Sequence, residues 1–98
     1  DDMAIGAIQA IKEAGLKPGK DIKIISIDGV PDIFKAMIAG EANASVELTP
    51  NMAGPAFDAL LAYKKDGTLP PKHIKTESKL FEPGNAEAQL ELKKDMGY

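Results

Sequence analysis

A run of branched apolar residues that ends in an Asp-Gly pair, DIKIISIDG, occupies residues 21–29. Its isoleucines at positions 22, 24, 25 and 27 predict a β-strand that is buried on both faces near its end. A turn containing Pro and Gly precedes the run at residues 16–20, and the Asp28-Gly29 pair ends it. This run therefore predicts one strand of a parallel sheet.

Helical patterns lie on both sides of that strand and continue along the chain. Isoleucines spaced three apart before Gly15 predict a first helix that begins at Asp2 as its N-cap. Helices are predicted at residues 2–14, 31–39 and 55–66 and from residue 83 or 85 onward, and strands at 21–27, 42–48 and 73–81. Strands separated by helices predict an α/β fold with alternating helices and mainly parallel strands.

The composition excludes several classes of protein. The 98 residues include 12 Lys and no Arg, 15 acidic residues, one His and no Cys, for a net charge of -3. A disulfide scaffold and a thiolate metal site are excluded, and no apolar run approaches the roughly 18 residues of a membrane span. Mild acidity argues against a nucleic-acid partner. The chain begins at Asp1 inside an apparent motif, which predicts a piece of something longer.

Enzymatic chemistry finds little support in the sequence. His73 is the single imidazole, it follows Pro71-Lys72 in a predicted loop, and no nucleophile-elbow pattern accompanies it. The glycines of the segment 15–21 have the wrong spacing for a phosphate-binding loop, and the segment precedes a strand instead of following one. We therefore predict no catalytic residue, no metal and no cofactor. A small parallel-sheet enzyme is the alternative class, and turnover of a sugar phosphate would support it.

Carboxylates at strand ends are the strongest candidates for binding. Ligands of α/β sheets sit outside the carboxyl ends of the strands, which draws attention to Asp28-Gly29 and to residues 47–49. Asp28 could accept hydrogen bonds from a ligand, or it could be the first residue of a simple Asp-Gly turn. Glu47 could lie on a solvated strand face. Asp1 and Asp2 are consistent with a helix start, where acidic residues oppose the dipole.

Several segments together resemble a known family. They are DDMAIGA at 1–7, AIKEAG at 10–15, IISIDG at 24–29, AMIAG at 36–40 and ASV at 44–46. In this order they resemble the C-terminal part of the type I periplasmic sugar-binding proteins of ABC transporters, in the ribose- and galactose-binding group. The resemblance covers nearly the whole chain, and residues 46–58 look most like the members that bind galactofuranose.

This resemblance implies a fragment of a two-lobe periplasmic-binding-protein-like fold. Residues 1–47 would come from the second lobe, and residues 48–98 would return to the first lobe and cross again. The implied function is extracytoplasmic, in the periplasm: a monosaccharide, galactofuranose among the candidates, is bound by lobe closure for the membrane subunits of an ABC permease, without catalysis. An isolated chain of this kind would either repack into one compact unit or associate with a second copy.

The resemblance also implies roles for four residues. Asp28 matches the Asp of a Phe/Ile-Asp-Gly element that binds sugar in the family, and a charge-assisted acceptor suits adjacent hydroxyls. Asp1 directly follows the position of a family Asn that binds sugar, and we include it as a candidate ligand residue. The family often has a Gln just before the Pro that follows the second strand. That Gln is absent here, and Glu47 or Thr49 could replace it.

A sugar-sensing effector domain of a LacI-type transcription regulator is the alternative. Such domains usually carry a Phe-Asp-Asp element and later a Pro-Leu-Thr-Thr-Val-like strand. This chain has Ile-Asp-Gly at 27–29 and Asn-Ala-Ser-Val at 43–46 instead, which favours the transport protein.

Overall fold

A computed structural model describes residues 1–96 and 98. Helices and strands alternate along it in the order α1 Asp2–Glu13, β1 Ile25–Asp28, α2 Pro31–Ile38, β2 Ala44–Glu47, α3 Ala53–Asp66, β3 Leu80–Phe81 and α4 Pro83–Lys93. The three strands form one sheet in the order β1-β2-β3. This alternation confirms the predicted α/β class, and both β1 and β2 are shorter than predicted.

The sheet is mixed. Strands β1 and β2 pair in parallel, from Ile25 opposite Ala44 to Asp28 opposite Glu47. Strand β3 pairs with β2 in the antiparallel sense through Phe81 and Leu80. The prediction of a third parallel strand over residues 73–81 is therefore wrong. Only Leu80 and Phe81 of this segment pair with β2, and they do so in the antiparallel sense. Helix α2 makes the crossover between the parallel strands β1 and β2, whereas the segment between β2 and β3 contains α3, which has no buried residue.

The hydrophobic core gathers around α2. Pro31 lies in the first turn of this helix, where its missing N–H is not needed. Ile33, Phe34 and Met37 are almost fully buried, and α2 packs against α1 and α4. The Phe34 ring meets the Phe81 ring of β3 edge to face, with centroids 4.8 Å apart, a geometry that aromatic pairs favour. This pair joins the end of the chain to its first half.

Strand β1 is an outer strand, and this changes its burial. We predicted burial on both faces, but Ile25 is 73% exposed and Ile27 is 59% exposed. Both open onto a groove of about 580 Å³ between β1 and α1. Ile24 and Ser26, which alternate with them, are buried. Among the described residues, only one face of this apolar strand is therefore covered.

The segment 48–79, which we call the arm, leaves the body after β2 and returns before β3. It contains α3 and has no buried residue. Exposed apolar side chains on α3 include Phe57, Leu60 and Leu61. The chain measures 62 × 25 × 19 Å with a radius of gyration of 17.7 Å, whereas a compact chain of this length would have about 13 Å. One compact repacked unit is therefore not what the structure shows.

Candidate functional site

Asp28 lies at the carboxyl end of β1, beside the end of β2. Its Cα pairs with that of Glu47 in the parallel register, and its carbonyl accepts a hydrogen bond from the Leu48 N–H at 3.0 Å. The side chain is about half exposed, at 48%, and it lines the groove beside β1. Its φ of 129° lies in a region that residues with a Cβ rarely adopt. A carboxylate is thus presented to an open groove on a strained backbone.

Asp1 is buried, and its carboxylate is the centre of a hydrogen-bond network. Oδ1 accepts from the hydroxyls of Ser26 on β1 and Ser45 on β2, the latter at 2.8 Å. Oδ2 accepts from the backbone N–H groups of Gly29 at 2.6 Å and Val30 at 2.8 Å. Four donors therefore surround this carboxylate, which also lies at the positive end of α2.

The start of α1 also differs from expectation. Asp1 occupies the N-cap position that we assigned to Asp2, yet its side chain makes no hydrogen bond to its own helix. It accepts instead from the backbone N–H groups of Gly29 and Val30, the two residues that precede α2. The role of Asp1 as a ligand residue stays a prediction. Its observed contacts favour positioning of the Asp28-Gly29 turn over direct contact with a ligand.

Gly29 is buried in this turn, and no larger residue fits there. Its φ is 85°, and a Cβ at this position would lie 2.5 Å from Cε2 of Phe81. The turn therefore rests directly on the aromatic pair of the core. Only a glycine combines this backbone conformation with this closeness.

Lys93 approaches the same turn from the opposite side, and the sequence analysis missed it. Its ammonium is buried at the end of α4 and donates to the Gly29 carbonyl at 2.6 Å. Nζ also lies 5.7 Å from the ring centroid of Phe34, 5.6 Å from that of Phe81 and 4.7 Å from that of Tyr98. The sequence held a signal, because Lys93 follows Ala86 and Leu90 at helical spacing on the inward face of α4.

Glu47 and Thr49 line a second, smaller pocket. It encloses about 210 Å³, and the side chains around it include Lys79, Lys93 and Tyr98. Thr49 Oγ1 accepts from the backbone N–H of Asn51 at 3.1 Å, and the Asn51 amide donates to the Tyr98 hydroxyl at 2.5 Å. The four predicted residues thus divide between two cavities: Asp1 and Asp28 line the groove, and Glu47 and Thr49 line the smaller pocket.

Burial lowers the pKa of the Lys93 ammonium. The negative charge of Glu47 acts against this lowering of the pKa, and the positive charge of Lys79 adds to it. The folded pKa therefore lies below the unfolded value of about 10.4. Between these two values the unfolded chain holds more protons than the folded chain, so the free energy of unfolding rises with pH across that window. Below it, both states are protonated and this contribution is flat.

We expect this dependence to disappear in Lys93→Met. Urea unfolding at neutral pH and at a pH of about 10 should show the wild type gaining stability relative to that variant as the pH rises. Lys94→Met, in the adjacent exposed residue, is the control for losing one positive charge. An opposite slope, with the wild type losing stability relative to Lys93→Met, would contradict the burial effect.

Two further properties bear on the kind of site. Within residues 1–96 and 98, no cluster of three or more His, Asp or Glu side chains is arranged to share a metal ion. Over the same residues, no helix combines the length and the apolar character needed to cross a membrane. The site is thus a groove with one half-exposed carboxylate, a small polar pocket nearby, and a turn held by buried charges.

Comparison with known proteins identifies relatives over the whole chain. No protein-family profile matches it. The sequence is 74% identical, over all 98 residues, to the galactofuranose-binding protein of Escherichia coli, and covers 31% of that protein. The structure matches a crystal structure of a galactofuranose binding protein with a TM-score of 0.92 and 74% identity, covering all of this chain and 33% of the other.

A second solved structure extends the comparison to another sugar transporter. It is the periplasmic binding protein component of the arabinose ABC transporter from a Shewanella species, bound to α- and β-L-arabinofuranose. The TM-score is 0.89 at 55% identity, over 99% of this chain and 32% of that one. The chain thus spans about a third of the length of the relatives it matches. These relatives are transport proteins rather than enzymes. By sequence over its full length and by its type I fold, the chain belongs to the periplasmic sugar-binding proteins of ABC transporters.

Proposed function

We propose that this chain acts as the C-terminal part of the substrate-binding component of an ABC sugar importer, with Asp28 as a main polar contact to the monosaccharide. The observation that carries the proposal is the half-exposed Asp28 carboxylate, held at the carboxyl end of β1 and facing a groove. Ionised carboxylates accept several hydrogen bonds, and charge-assisted bonds are the strong ones. Adjacent hydroxyls of a furanose or pyranose ring fit such an acceptor.

The ligand is a monosaccharide, and a furanose is favoured. Support comes from relatives at 74% and 55% identity, which bind galactofuranose and arabinofuranose. Glu47 and Thr49, which line the smaller pocket, supply further polar contacts to the sugar when the lobes close. Asp1 supports the site from beneath through its contacts with Gly29 and Val30.

The arm divides the chain between the two lobes. Residues 1–47 contribute to the second lobe, and residues from 48 onward pass to the first lobe and cross back. Support comes from the arm, which leaves the body at Leu48 and returns at Lys79 without burying a residue. The open edge of β1, with exposed Ile25 and Ile27, fits further strands that complete the second lobe. Lobe closure then produces the form that the membrane permease recognises, in the periplasm.

Titration calorimetry tests this proposal. The 98-residue chain alone and a chimera are titrated with a panel of pentoses and hexoses that includes galactofuranose and L-arabinofuranose. In the chimera, this chain replaces its counterpart in the Escherichia coli galactofuranose-binding protein. We expect heat of binding from the chimera and none from the isolated chain, because the isolated chain holds pieces of both lobes and completes neither. A folded chimera that binds no sugar would overturn the proposal.

The contribution of Asp28 is tested in the same chimera. Asp28→Ala removes a charged acceptor and should weaken sugar binding by about 1.5–3 kcal/mol, or about 10- to 150-fold in Kd. The matched control is Asp32→Ala, another exposed carboxylate in the first turn of α2, which should leave Kd unchanged. Equal affinities of Asp28→Ala and wild type, with both folded, would remove Asp28 from the site.

A further inference from the structure

We propose that Lys93 is a positioning residue for the sugar-binding turn. Its ammonium, together with the Asp1 carboxylate, holds the Asp28-Gly29 segment in the conformation that presents Asp28 to the ligand. This inference rests on the proposed role of Asp28 and adds the buried residues that hold its turn in place. Neither the chemistry of sugar binding nor the helical pattern of α4 requires a buried lysine at this position.

The peptide unit between Gly29 and Val30 is held at both of its polar atoms. Its carbonyl oxygen accepts from Lys93 Nζ at 2.6 Å, and its N–H donates to Asp1 Oδ2 at 2.8 Å. The two groups carry opposite charges, and each matches the partial charge of the atom that it contacts. This peptide therefore has little freedom to rotate.

The neighbouring peptide unit is fixed in the same way. The Gly29 N–H donates to Asp1 Oδ2 at 2.6 Å, which sets the orientation of the peptide that follows Asp28. Phe81 lies directly beneath Gly29 and blocks movement toward the core. Hence the conformation of Asp28 is determined by residues on β3, α4 and the first residue of the chain.

Asp28 needs such enforcement because its backbone is strained. A φ of 129° in a residue with a Cβ persists only where the surroundings impose it, and such residues concentrate at ligand sites. Without Lys93, the Gly29 carbonyl would lose its donor and Asp1 alone would hold this peptide, so Asp28 would relax more readily to an ordinary extended conformation. Its carboxylate would then leave the orientation that the groove requires.

Lys93 also has its own anchors, so its ammonium is not free to leave the turn. It lies between the rings of Phe34, Phe81 and Tyr98, and the Tyr98 hydroxyl accepts from Asn51 near the start of the arm. The hold on the turn is thus connected to the segment where the chain leaves the body.

The first test needs no sugar. Amide hydrogen exchange of Gly29 and Val30 is measured in the 98-residue chain as wild type, Lys93→Met and Lys93→Gln. Both variants remove the charge. If one of them fails to fold, the other still provides the test. We expect exchange at these two amides to accelerate by about 10- to 100-fold, with amides in the centre of α1 unchanged. Lys94→Met, on the exposed neighbour, should leave both rates at the wild-type value. Unchanged exchange in a folded Lys93 variant would overturn the proposal.

The second test separates positioning from general stability by a double-mutant cycle in the chimera. Lys93→Met should weaken sugar binding about tenfold when Asp28 is present and less than about threefold in the Asp28→Ala background, because its effect acts through Asp28. Equal losses in both backgrounds would mean a merely structural role and would overturn the proposal. Should Asp28→Ala alone leave Kd unchanged, the proposed role of Asp28 fails, and the exchange rates still decide whether Lys93 holds the turn.

Discussion

An Asp1→Ala chain should lose about 3 kcal/mol of its free energy of unfolding, a large share of the roughly 5–15 kcal/mol that holds a small domain. The carboxylate that this change removes accepts from Ser26, Ser45, Gly29 and Val30. Ser45 is fully buried, so its hydroxyl would have neither a partner nor water. At the same time the N–H groups of Gly29 and Val30, just before α2, would lose their acceptor.

Urea unfolding followed by circular dichroism measures this loss. The matched control is Asp2→Ala, which removes an exposed carboxylate one residue away and should change stability by less than about 1 kcal/mol. If both variants unfolded at the same urea concentration, the Asp1 network would contribute no more than a surface charge does. Adding Ser26→Ala and Ser45→Ala to the Asp1→Ala chain should relieve part of the loss, because these changes remove the two hydroxyls that Asp1→Ala leaves without an acceptor.

Gly29→Ala should be almost as damaging, by about 2–4 kcal/mol, for two separable reasons. An added Cβ disfavours the φ of 85°, and it would lie 2.5 Å from Cε2 of Phe81. Since Phe81 also packs edge to face on Phe34, displacement of its ring would disturb this core pair.

Gly40→Ala isolates the conformational part of this effect. Gly40 has a similar φ of 77°, but a Cβ there would meet no atom within 4 Å. It should therefore lose only about 1 kcal/mol, and the difference between the two variants measures the clash with Phe81. Thermal or urea unfolding of both variants decides the matter, and equal losses would show that the ring yields to the methyl group.

The sequence predicted the order of the elements well because each depends on local features. Isoleucines at a spacing of three, Pro31 and the glycines that end helices define α1 and α2 within about two residues. The strand-end rule drew attention to Asp28 and to Glu47, and the parallel register of β1 and β2 places their Cα atoms opposite each other.

What the sequence could not predict depends on contacts between distant segments. The exposure of Ile25 and Ile27 follows from what lies beside β1, and an apolar strand has the same pattern whether it is covered or not. The sense of β3 depends on where the arm returns the chain, which no periodicity records. The contacts that Asp1 and Lys93 make with the turn were not predicted, because their partner, Gly29, is 28 residues from one and 64 from the other.

The two ends of the arm are neighbours in space, since the Glu47 N–H donates to the Lys79 carbonyl at 2.8 Å. A segment whose ends meet in a strand ladder can change length at small expense, because each doubling of a flexible loop adds only about 0.6 kcal/mol of closure entropy. The ladder of β2 and β3 thus acts as a junction that tolerates insertion. Evolution could exchange the segment between its ends while leaving the turn that carries Asp28 untouched.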